Sequence, residues 1–98
     1  MNILVSCANG SGTSLMMMKS VQKAFRRLNI DITKIEHTSI AEGTSTAKQY
    51  DIVFTPKNFL NMFDDAKDKG ITIIGVKNVM SDKEIEEHVR NETDLVKD

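Results

Sequence analysis

The residues best suited to chemistry form one run near the N-terminus, Cys7-Ala8-Asn9-Gly10-Ser11-Gly12-Thr13-Ser14. It holds the one cysteine of the chain. Gly10 and Gly12 allow backbone angles that turn successive amides inward as an anion nest. Ser11, Thr13 and Ser14 add hydroxyl donors without charge. A helix starting after this run would contribute unpaired N–H groups and the positive end of its dipole. Phosphate would find a site there, and the same field would pull a nearby thiol below the free value of about 8.5. The resulting thiolate at Cys7 would attack phosphorus and hold the group covalently, with the loop donors binding its oxygens. The spacing is not that of a Walker loop, which ends in Gly-Lys-Ser/Thr, nor that of the dinucleotide fingerprint. On the residues alone a second reading of Cys7 stands beside this one: the small buried hydrophobe that most free cysteines are.

The chemistry requires a strand before the run and a helix after it, and the flanking sequence predicts both. Asn2–Ser6 carries the short apolar stretch Ile3-Leu4-Val5, a buried strand. From about Ser14 to Leu28, Met17, Val21, Ala24, Phe25 and Leu28 make one apolar helical stripe. Ile30–His37 is rich in β-branched residues and predicts strand two. Thr38–Gln49 is polar, contains Gly43, and reads equally as a short helix or a loop. Asp51–Thr55 predicts strand three, and Thr55-Pro56 an N-cap with proline opening the next helix, which Gly70 would stop. Ile71–Val76 predicts strand four. Ser81-Asp82-Lys83-Glu84 has the capping-box pattern of two residues satisfying each other's amides, ahead of a helix carrying Ile85, Val89 and Leu95-Val96.

Strands alternating with helices imply a parallel sheet covered on both faces, with its ligand site at the carboxyl ends of the strands. The expected fold is one three-layer α/β/α, Rossmann-like domain over residues 1–98, its four parallel strands ordered 2-1-3-4. The strand ends would then gather Ser6-Cys7, His37-Thr38, Thr55 and Val76-Lys77 on one rim.

The 98 residues carry a net charge of −1, so nothing global points to nucleic acid or a membrane surface. The charge is uneven. Lys19, Lys23, Arg26 and Arg27 lie in a segment without acids, whereas residues 82–98 hold seven acids against three bases. The basic face reads as a solvated helix surface or as a docking face for an acidic partner. A single cysteine excludes an internal disulfide and fits a reducing cytosol. No N-terminal signal pattern and no apolar run of about 20 residues occurs, so a cytoplasmic location without membrane insertion is expected.

Residues 3–19, that is the first strand, the Cys7–Ser14 run and the Met-rich segment Leu15–Met18 leading to Lys19, resemble the enzyme IIB component of the bacterial phosphoenolpyruvate-dependent sugar phosphotransferase system. The ascorbate-type branch is the nearest, close to the galactitol type. The resemblance implies a phosphotransferase in which Cys7 is the phosphorylation site and Ala8, Asn9, Gly10, Ser11, Gly12, Thr13 and Ser14 form the phosphate cradle. It implies two partners, a IIA protein that donates from phosphohistidine and a IIC membrane transporter that binds the sugar. No cofactor and no metal is implied.

The same run is similar to the loop of low-molecular-weight tyrosine phosphatases, in which cysteine is followed by five residues, arginine and serine. Here Thr13 stands where that arginine belongs. A threonine hydroxyl cannot neutralise phosphoryl oxygens as a bidentate guanidinium does. No Asp-Pro element supplies the phosphatase acid, because Pro56 follows Thr55. Such a site should hold a phosphoryl group rather than hydrolyse it. The alternatives are a phosphatase or arsenate-reductase-like enzyme, and a regulatory anion-binding domain with an inert Cys7. His37, on the expected rim, reads either as a contact to phosphate or to a hydroxyl, or as a plain polar strand end. His88 reads as a surface residue of the acidic helix.

Overall fold

In the computed structural model, which describes residues 1–7 and 12–93, Ile3-Leu4-Val5 form the middle of β1 (Asn2–Cys7). The next described element is α1 (Gly12–Arg27), two residues longer at its start than the apolar stripe predicts. β2 is Lys34–Ser39, α2 Ile40–Thr46, β3 Ile52–Pro56, α3 Asp64–Asp68, β4 Thr72–Val76 and α4 Asp82–Glu92. Two 3₁₀ segments, Ala47–Gln49 and Lys57–Phe63, precede β3 and α3. The four strands are parallel in the order β2-β1-β3-β4, as expected from the sequence.

Alternation along β1 explains why it is central. Ile3, Val5 and Cys7 point into one core with Met17, Val21, Ala24 and Phe25 of α1 and Ile85 and Val89 of α4. Leu4 points into a second core with Ile40, Tyr50, Phe63 and Ala66. Apolar residues on both faces require a helical layer on each side. Phe25 meets Phe54 edge-on with ring centroids 6.0 Å apart, a pairing worth about 0.5–1.5 kcal/mol beyond burial. That contact pins α1 to β3, and so fixes where the helix begins relative to the end of β1.

Three local expectations are corrected and one left open is decided. Strand two begins at Lys34 rather than Ile30, because α1 closes with Asn29 at φ 59° and the Ile30 amide bonding Phe25 O at 3.0 Å. Ile30 and Ile32 still pack against the core, but from the connection. The polar stretch after β2 does form a helix, α2, with Ser39 as N-cap accepting from the Glu42 amide at 3.3 Å. Pro56 closes β3 in an extended conformation (φ −59°, ψ 143°) instead of opening a helix, and a 3₁₀ helix follows. Thr55 is accordingly a strand residue, fully buried, whose hydroxyl has no hydrogen-bond partner among the described residues.

The capping box is half formed. Ser81 Oγ accepts from the Glu84 amide at 3.2 Å. The Glu84 carboxylate turns instead to the Lys77 and Asn78 amides, at 2.7 and 2.8 Å. Gly70 does stop α3, at φ 93°. The basic and acidic helices meet within the chain: Arg27 of α1 pairs with Asp82 and Glu86 of α4, at 2.8 Å for Glu86. Lys19, Lys23 and Arg26 remain exposed. Leu95-Val96 lie outside the described residues.

Candidate functional site at the end of β1

Cys7 is the last residue of β1, in register with Ser39 at the end of β2. Parallel pairing brings both strand ends to the same rim, where the first turn of α1 also begins. The thiol is 1% exposed and faces the α1 side of the sheet with Val5 and Met17. Burial pushes its pKa up to about 11. This reverses the direction expected from the loop's field: the apolar packing that surrounds the sulfur penalises a thiolate. Of the expected cradle, Ala8, Asn9, Gly10 and Ser11 lie outside the described residues. Gly12, Thr13 and Ser14 form the first turn of α1.

Ser14 is fully buried, and its Oγ lies 3.0 Å from Nδ1 of His37. His37 is in register with Val5, two positions before Cys7 on the same face of the sheet. Its ring is exposed. The sequence marks Ser14 and His37 separately, and the fold joins them across α1 and the edge strand. On the other face of β1, Ser6 Oγ donates to Ser39 O at 2.8 Å. Hydroxyl residues at successive strand ends are the one hint of that contact in the sequence.

His88 lies on the outer part of the acidic helix α4, as expected, but it is paired there. It is half-buried, with Nε2 2.9 Å from Glu84 and Nδ1 2.5 Å from Glu92. Burial disfavours its charge, but the two carboxylates outweigh this and raise its pKa. Glu84 is likewise desolvated, yet the Lys77 and Asn78 amides and His88 hold its carboxyl below the usual range. Among the described residues no group of three His, Cys, Asp or Glu side chains is arranged to hold a metal. No helix among them is long and apolar enough to cross a membrane. Leu15 and Met16 at the start of α1, and Met80 before α4, are large apolar residues left exposed near the strand ends.

A thiol at the carboxyl end of the central strand of a parallel sheet, with a helix following it, defines an α/β domain whose candidate site lies at a strand–helix junction. The model of the phosphotransferase system lactose/cellobiose-specific IIB subunit matches residues 2–91, and the chain belongs to that family. It is thus a phosphotransferase, a phosphoryl carrier of a sugar-transport system. The ascorbate-specific EIIB component of Mycoplasma pneumoniae is 30% identical over 88 residues, covering 89% of this chain and 88% of that protein. The lactose-specific IIB domain of Streptococcus pneumoniae superposes with a TM-score of 0.68 at 17% identity, covering 92% of this chain and 94% of that one. That likeness speaks for the fold.

Proposed function

We propose that Cys7 is the residue that carries the phosphoryl group, in the cytoplasm, between phosphohistidine of a IIA protein and a sugar bound by a IIC transporter. One observation supports this most: the chain's single thiol ends the central strand where α1 begins. On accepting, the sulfur–phosphorus bond forms and the nitrogen–phosphorus bond of the donor breaks. The thiol proton ends on the imidazole nitrogen that leaves. A thiol with a pKa of about 11 keeps its proton until that base arrives, which ties reaction to docking. The same basicity makes sulfur a reluctant leaving group, so the phosphocysteine waits for the sugar hydroxyl. Exposed Leu15, Met16 and Met80 suit the docking of successive partners. The 30% identity to an ascorbate-specific component supports the ascorbate-type branch.

The test is phosphorylation with phosphoenolpyruvate, the general phosphotransferase proteins and a cognate IIA, followed by mass mapping of peptides. A phosphoryl adduct is expected on the Cys7 peptide. Its absence, or equal modification of Cys7→Ser, overturns the reading.

A further inference from the structure

The outer face of α1 carries a stripe that the packing of the fold does not account for. Met16, Lys19, Lys23 and Arg26 recur at steps of three, four and three residues, so they lie along one side of the helix. All four are exposed, opposite the buried Met17, Val21, Ala24 and Phe25. The stripe runs for about 15 Å, and no acidic residue occurs anywhere in α1. Arg27, the next residue, is taken by Asp82 and Glu86 of α4. Lys19, Lys23 and Arg26, by contrast, form no salt bridge among the described residues. Lys23 acts on Asp82 through space only. In a chain of net charge −1, three such cations in line concentrate positive potential on one helix face.

We propose that this stripe is the docking face for an acidic protein surface, that of the phosphohistidine donor, and that it sets the rate of their encounter. The proposal rests on Cys7 as the phosphoryl site. Met16 is the neighbour of Met17, which packs in one core with Cys7, so a partner lying along the stripe has its near end toward the thiol. Met16 gives that end an adaptable apolar contact. Charge then selects the loaded donor, because its phosphoryl group adds negative charge that a spent donor lacks. After transfer that charge belongs to this chain and offsets the stripe, which favours release. The width of the stripe decides between a protein and a lipid surface. It is one helix face wide, with the carboxylates of α4 alongside. A flat anionic bilayer on α1 would meet those carboxylates as well, whereas an acidic helix or strand edge follows the stripe alone. Attraction of this kind raises association rates about 10- to 1,000-fold and leaves the chemical step untouched.

The experiment times single-turnover transfer from phosphorylated IIA to the full chain over a range of IIA concentrations. This separates the second-order rate of encounter from the rate at saturation. In Lys19→Glu/Lys23→Glu the second-order rate should fall at least about tenfold at about 0.1 M salt, where the screening length is about 10 Å. It should return to within about twofold of the wild type at about 1 M salt, where that length is about 3 Å. The saturating rate should not change, and Lys19→Gln/Lys23→Gln should lie between. Lys67→Glu/Lys69→Glu makes the same change in net charge at α3, on the other face of the sheet, and should stay within about twofold of the wild type. An unchanged second-order rate in the stripe variant, an equal loss in the α3 variant, or a loss that persists at high salt overturns the inference alone. So does salt-sensitive sedimentation with vesicles of phosphatidylcholine and phosphatidylglycerol that the stripe variant loses while its transfer rate holds, a result that assigns the stripe to lipid. Failure to phosphorylate wild-type Cys7 overturns the carrier reading and the inference together.

Discussion

Gly43 of α2 packs directly on Ser6 of β1: a β-carbon at residue 43 would lie 2.1 Å from Ser6 Oγ and 2.7 Å from Ser6 Cβ. The contact seats α2 against the central strand, one residue before Cys7. Alanine would ordinarily favour a helix over glycine by about 0.5–1 kcal/mol. Overpacking costs about 1–3 kcal/mol, and at these distances the clash wins. Gly43→Ala should therefore lower stability by about 1–2 kcal/mol, read as an earlier urea midpoint. Adding Ser6→Ala should recover only part, because Ser6 Cβ stays in the way and the bond to Ser39 O is lost. A Gly43→Ala variant as stable as the wild type would show that α2 does not rest on Ser6.

Cys7 should be a slow thiol until a partner docks. With a pKa of about 11, roughly 0.03% is thiolate at pH 7.5, against about 10% for a free cysteine. Alkylation by iodoacetamide at pH 7.5 should run at least about 100-fold slower than for a cysteine peptide. It should climb close to tenfold per pH unit through pH 10. A rate that levels off near pH 8 would mean that the loop's anion-binding field outweighs burial.

The Glu84–His88–Glu92 chain makes the β4–α4 junction sensitive to pH. His88 is raised above its ordinary 6.5, so its contribution is complete below about 6.5 and fades as pH rises through the folded value. Glu84 is held below its ordinary 4.5, so its contribution is complete above about 4.5 and fades as pH falls through the folded value. Together they support the junction best between about pH 4.5 and 6.5. The partly exposed histidine pairs are screened and worth a few tenths of a kcal/mol each. Urea midpoints of His88→Gln should consequently fall below the wild type at pH 5.5 and converge with it at pH 8.5. An equal deficit at both values would assign His88 a packing role instead.

Much of this protein is written locally. The unbroken Ile3-Leu4-Val5 run, the glycines after Cys7 and the stripe from Met17 to Phe25 each report on neighbours within a turn or two. They carry the strand, the helix, the parallel order and the place of the thiol. Local pattern misled where tertiary packing prevailed. Pro56 carries a helix-opening signal, yet the sheet extends through it to pair with Val76. Glu84 has the spacing for a capping box, yet the Lys77 and Asn78 amides claim its carboxylate. Cys7 illustrates the division most sharply. Sequence alone determined that a single thiol follows the central strand and precedes a helix. Only the fold decided that this thiol is buried in one core with Met17 and Val5, where burial raises its pKa, because desolvation depends on groups brought in from across the sheet. The same holds for Ser14 and His37, 23 positions apart: no spacing rule links a helix start to an edge strand until the parallel register brings them to 3.0 Å.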